Sequence, residues 1–138
     1  MADREFIWTA PPHIRSEEQI GNAMRDVAIA LIPVIAVAIG FFRLYALVNL
    51  AACVLAAVCS EYVMRKIMGR KPTIGDFSAI VTGIFVALLL PPTIPFWYAM
   101  IGTIIAVALV KELMGGLGHN VFNPALFGFV SLLVISRF

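Results

Sequence analysis

Five apolar segments, each closed off by charge, proline, glycine or asparagine, fill the chain from residue 27 to residue 138. Such segments have few ways to fold. In a bilayer no water reaches the backbone N–H and C=O groups, so each crossing must satisfy them internally, as a helix does. Only 13% of the 138 residues are charged and mean hydropathy is +0.98, whereas a soluble domain carries about a quarter charged residues. The expectation is an all-α integral membrane protein with about five transmembrane helices, near 24–42, 44–64, 77–90, 96–114 and 124–138. A polar segment, 1–22, precedes them. A net charge of +2 gives no footing for nucleic acid; where the charges lie matters more than their sum.

Local signals sharpen this outline. Ser16 followed by Gln19 reads as a capping box opening the first helix, and Pro33 predicts a kink inside it. The opening lacks the short basic stretch and apolar core of a secretory signal, so the first apolar segment is expected to be retained. Ala52, Ala56 and Ser60 recur every four residues, a face that lets another helix or a partner protein approach closely. Asp76 is placed to cap the third helix, and Pro91, Pro92 and Pro95 stop it. At about 21 Å that helix is shorter than the roughly 30 Å hydrocarbon core, so it is expected to be tilted little, extended by non-helical chain, or sunk as a partial helix in a bundle. Trp97 and Tyr98 suit an interfacial belt. Asn123 followed by Pro124 is a strong helix start. Cys53 and Cys59, six apart on one helix, face different ways and read as small apolar residues. His13 and His119 are solitary, and no metal site is expected.

Lysine and arginine set the expected orientation. Arg4, Arg15 and Arg25 precede the first segment, and Arg65, Lys66, Arg70 and Lys71 follow the second. The positive-inside rule places the N-terminus, the basic loop and the loop after the fourth helix in the cytoplasm, with the proline loop outside.

The stretch with most chemical content runs from Lys111 and Glu112 through Gly115, Gly116, Gly118, Asn120 and Asn123 to Pro124. Membrane chains place such backbone at depth chiefly where it lines a site. Two helix N-termini, capped by Asp76 and Asn123, are expected at the same end, each with orphan N–H groups and about half a positive charge. With Lys111 they suit an anionic or carbonyl-rich group: a phosphate, a flavin ring edge or a quinone head. The alternative is a re-entrant turn that only reverses the chain. Lys111 and Glu112 are candidates for an ion path or, equally, an interfacial ion pair; for Glu61, an interfacial pair with Arg65 is favoured. No residue reads as catalytic acid, base or nucleophile.

Four motifs carry a resemblance: Pro12-His13-Ile14-Arg15; Asp76-Phe77-Ser78-Ala79 with Val81-Thr82-Gly83; Leu90-Pro91-Pro92; and Gly115-Gly116-Leu117-Gly118-His119-Asn120-Val121-Phe122-Asn123-Pro124-Ala125. In this order they resemble the RnfD/NqrB family: the RnfD component of Rnf-type ion-translocating ferredoxin:NAD oxidoreductases and, more distantly, the NqrB component of sodium-translocating NADH:quinone oxidoreductases. The resemblance implies the N-terminal half of a ten-helix inverted-repeat protein in an electron transport complex of the bacterial inner membrane. It implies FMN or riboflavin in the complete protein, Na+ or H+ transport, and other membrane subunits and the C-terminal half as partners. The family's flavinylation motif, of Ser-Gly-Ala-Thr type, surrounds none of Thr9, Thr73, Thr82, Thr93 and Thr103, so covalent FMN is assigned to no residue here. A half channel or half secondary transporter is the competing expectation.

Overall fold

The computed structural model describes residues 17–70, 74–114 and 122–135. Among them every regular element is helical: α1 Glu17–Ala30, α2 Ile32–Phe42, α3 Leu44–Ile67, α4 Ser78–Leu89, α5 Phe96–Ile105 and α6 Pro124–Ile135. A 3-10 turn, Ile74–Asp76, precedes α4, and α5 runs on into a π-helical stretch, Ala106–Glu112.

The break between α1 and α2 falls at Leu31, because Pro33 sits in the first turn of α2, where its missing N–H costs nothing. The two helices nearly join, and 21–42 forms one apolar span. Among the described residues, this span and Leu44–Ile67 are the two helices long and apolar enough to cross a membrane. At 24 residues, α3 rises about 36 Å. With 12 residues each, α4 and α6 rise only about 18 Å. Instead α4 is sunk among its neighbours, with Ser78, Ala79, Val81, Gly83, Ile84 and Val86 buried. The fourth expected helix changes character midway, since a run of good α-formers gives no sign of a π turn.

Small residues set the helix separations. α4 crosses α3 at Gly83, where an added Cβ would lie 2.9 Å from the Cys53 carbonyl oxygen and 2.9 Å from Val54 Cα. α6 crosses α5 at Gly128, where a Cβ would lie 2.6 Å from the Gly102 carbonyl oxygen. The face around Ala52 and Ala56 was expected to meet another helix or a partner protein. Here Ala56 and its neighbours Cys53 and Ala57 are buried inside this chain. Cys59 is exposed and Cys53 buried, both as free thiols, as their angular separation requires.

The polarity of the bundle is inverted relative to a water-soluble one. Phe41, Leu44, Tyr45, Leu55, Ile67 and Val134 are exposed, whereas Asn49, Glu61, Ser78, Thr103, Lys111 and Glu112 are buried. Lipid contact accounts for the first set and internal pairing for the second. At one end, Asn49 Nδ2 donates to the carbonyl oxygens of Pro92 at 2.9 Å and Ile94 at 3.3 Å. These two carbonyls lie in the non-helical link between α4 and α5, and the asparagine side chain supplies their donor. Asn49→Leu should therefore lower stability by about 1 kcal/mol, the scale of losing such hydrogen bonds to part-buried acceptors, read as a lower midpoint of thermal unfolding in detergent. An unchanged midpoint would show the clasp to be dispensable.

Candidate functional site

At the other end of α3, Glu61 and Arg65 stand one turn apart on the face turned toward the π-helical stretch. A π turn holds more residues than an α turn, so neighbouring side chains diverge less; such turns recur at functional sites. Here Val110, Lys111 and Glu112 are all buried in succession. Lys111 is 1% exposed, Glu112 0% and Glu61 1%.

These groups form one connected network. Arg65 Nε lies 3.2 Å from Glu61 Oε1 and 3.2 Å from Glu112 Oε1, donating to the latter. Lys111 Nζ lies 3.1 Å from Glu61 Oε2 and donates to Ser78 Oγ. Arg70 Nη1 donates to the Glu112 carbonyl oxygen at 3.4 Å. Two carboxylates and two cations alternate, which is how charge is tolerated away from water. One atom is left over: Glu112 Oε2 is buried without a hydrogen-bond partner among the described residues. The expected Glu61–Arg65 pair forms, with Glu61 buried and Lys111 beside it as a second cation. The expected pairing of Lys111 with Glu112 is corrected: both are buried and pair across to α3, not with each other.

Ser78 links this network to the start of α4. Asp76 Oδ1 accepts the Ser78 N–H at 3.0 Å and the Ser78 hydroxyl at 2.7 Å. Asp76 thus caps α4 from one residue further out than expected, because Phe77 occupies the cap position in the left-handed region, φ 58°. A bulky residue there is strained, and such strain gathers at functional sites. Asn123 Oδ1 caps α6, accepting from the N–H groups of Ala125 at 3.0 Å and Leu126 at 3.3 Å.

The two capped ends converge on a cavity of about 350 Å³, lined on its polar side by Ser78, Thr82, Lys111 and Asn123 and elsewhere by apolar groups including Met24, Phe85 and Phe122. The sequence anticipated Asp76, Asn123 and Lys111 at one end of the fold, but with free helix N–H groups as the main donors. Several of those N–H groups are engaged by the caps, so side chains dominate. Gly115, Gly116, Gly118 and Asn120, and also Ser16, His13 and His119, lie outside the described residues. Ser78, Thr82, Glu61 and Arg65 were missed as site residues. The Asp76-Phe77-Ser78 run was a signal for Ser78; nothing local pointed from Glu61 to Lys111, fifty residues on.

An apolar exterior around a paired ionic interior defines a helical membrane protein with a charged centre. The chain belongs to the NQR2, RnfD, RnfE family, whose pattern matches residues 7–136. It is 42% identical to the D component of the Na(+)-translocating ferredoxin:NAD(+) oxidoreductase complex of Acetobacterium woodii, over 86% of this chain and 37% of the relative. It is 43% identical to the D component of the ion-translocating oxidoreductase complex of Shewanella denitrificans, over 94% and 37%. With the D component of the proton-translocating ferredoxin:NAD(+) oxidoreductase complex of Clostridium ljungdahlii, identity is 39% over 94% and 39%. The chain therefore spans well under half the length of these curated relatives.

Proposed function

We propose that this chain is the N-terminal half of an RnfD protein, a membrane component of an ion-translocating electron transport complex of Rnf type, seated in the bacterial cytoplasmic membrane. On this reading it supplies five of ten helices in an inverted repeat and works with the C-terminal half and other membrane subunits. Family membership over residues 7–136 supports it, as do the exposed apolar helices. The N-terminus, the basic segment around Arg65 and Arg70 and the charged network are assigned to the cytoplasmic side by positive-inside bias. The ion is Na+ or H+; relatives of similar identity are named for each.

The observation that carries the site is Lys111, buried between a carboxylate network and the cavity. Apolar walls with a lysine and an asparagine amide suit a flat ring with carbonyl oxygens, as in flavins and quinones. A flavin or quinone bound there supplies the electron-carrying chemistry. Lys111 and Asn123 would orient its ring edge, and Met24, Phe85 and Phe122 would exclude water. Gly115, Gly116, Gly118 and Asn120 are proposed to complete the environment. Lys111 and Glu112 are proposed to belong to the ion path, joined by Glu61. Two threonines are poorly placed for a covalent FMN: Thr103 is fully buried and donates to the Ala99 carbonyl oxygen, and Thr82 donates to the Ser78 carbonyl oxygen.

Filling the cavity tests the reading. In the complete complex, Thr82→Phe should lower flavin- or quinone-linked electron transfer severalfold at equal complex abundance, with loss of non-covalent flavin or weaker quinone saturation. Unchanged turnover, flavin content and quinone dependence would remove the cavity from the electron path.

A further inference from the structure

We propose that Lys111 is a shared counter-ion, dividing its charge between Glu61 and an acceptor in the cavity, so that charge entering the cavity is felt at Glu112. The inference rests on the reading of the cavity as a flavin or quinone site. An ammonium has three N–H donors. One serves Ser78 Oγ and a second faces Glu61 Oε2 at 3.1 Å. The third has no acceptor among the described residues, although Lys111 is 1% exposed and lines the cavity. A buried donor without an acceptor is unfavourable, so the cavity favours an occupant that accepts there.

Of the neighbouring donors, the Asn123 side-chain amide carries no charge and the others are already engaged. The Ser78 hydroxyl and N–H both donate to Asp76 Oδ1. The Thr82 hydroxyl donates to the Ser78 carbonyl oxygen. The N–H groups of Ala125 and Leu126 donate to Asn123 Oδ1. Negative charge placed on an acceptor in the cavity is therefore met first by Lys111.

The other end of the network has the complementary deficit. Glu61 is shared by Lys111 and Arg65, Arg65 is shared by Glu61 and Glu112, and Glu112 Oε2 has no donor among the described residues. In a medium of low dielectric such alternating charges are strongly coupled. As Lys111 turns toward the cavity, Glu61 leans on Arg65, and Glu112 is left with a greater demand for a cation or a hydrogen-bond donor. Among the described residues, the N–H without an acceptor and the oxygen without a donor thus stand at opposite ends of one chain of pairs.

The test uses the purified complex with its full-length RnfD protein. The ratio of reduced to oxidised non-covalent flavin is read by absorbance against a redox dye at a fixed applied potential. Lys111→Met, which removes the charge at nearly constant length, should lower the ratio by roughly tenfold, on the scale of one partly buried charge. Lys111→Arg should stay near wild type. Glu61→Gln removes the competitor for Lys111 and should shift the ratio the other way. Glu112→Gln leaves Lys111 and the cavity intact and should shift it in the Glu61→Gln direction by less. Packing damage alone gives no such opposition of sign. Equal direction for Lys111→Met and Glu61→Gln, or an unmoved ratio in both, overturns the proposal. If Lys111→Met does not assemble, an unmoved ratio in both Glu61→Gln and Glu112→Gln overturns it. The failure of the underlying reading looks different: Thr82→Phe then leaves flavin content and quinone dependence unchanged.

Discussion

Replacing Arg65 by methionine is expected to destabilise the bundle by roughly 3–5 kcal/mol, the range for removing one partner from a buried ion pair. Arg65 is 11% exposed at its side chain and stands 3.2 Å from a carboxylate oxygen of both Glu61 and Glu112. Without it, Glu61 retains Lys111, but Glu112 loses the only cationic side chain within 4.0 Å among the described residues. A carboxylate buried to 0% exposure then has no counter-charge in place, and the contact between α3 and the π-helical stretch should open. The readouts are yield of assembled complex and thermal unfolding in detergent. Arg65→Lys should recover part of the loss, since it restores charge but not the planar fork. Wild-type yield and midpoint for Arg65→Met would mean that the network adds no stability.

The second large effect is expected at the α3–α4 crossing. Gly83→Ala should cost about 1–3 kcal/mol, as overpacking of a tight core does, and Gly83→Val should cost more. The added atom meets backbone: Cys53 oxygen and Val54 Cα, both at 2.9 Å, and Cys53 carbon at 3.1 Å. Backbone cannot swing aside, so the helices must separate. Ser78 and Lys111 are held across this region, and the separation should disturb the cavity as well. Gly40 is the control, because a Cβ there meets nothing within 4 Å; Gly40→Ala should leave the unfolding midpoint unchanged or slightly raised. Equal midpoints for Gly83→Ala and Gly40→Ala would argue that the crossing is loose.

Much of the fold was legible in the chain itself. Proline and charge punctuate the apolar segments, and both act locally. Pro33 predicted a break in the first helix, and the break lies at Leu31. The three prolines after Leu89 ended α4, and Asn123 with Pro124 opened α6, through steric and hydrogen-bonding rules that need only near neighbours. The shortness of the third helix left several accommodations open, and α4 is found sunk among its neighbours. Family membership was also readable, because the run from Gly115 to Ala125 is long and unusual in composition.

Other features were decided by contacts between distant residues. The sequence placed Lys111 beside Glu112 and Glu61 one turn before Arg65, and local rules pair such neighbours at an interface. Tertiary structure buries Glu61, Lys111 and Glu112 and joins the two sets through Arg65, since burial leaves each charge more in need of opposite charges than its own helix can provide. The small residues of α3 offered no hint of their partner, and only packing set Cys53 and Val54 against Gly83 of α4. The π turn that brings both Lys111 and Glu112 inward has no signature in propensity. The sequence by itself determined the helical class and the family, because those follow from composition and local backbone rules. The ionic centre and the cavity beside it belong to the tertiary structure, because a buried charge is stable only where the whole bundle brings its counter-charges within reach.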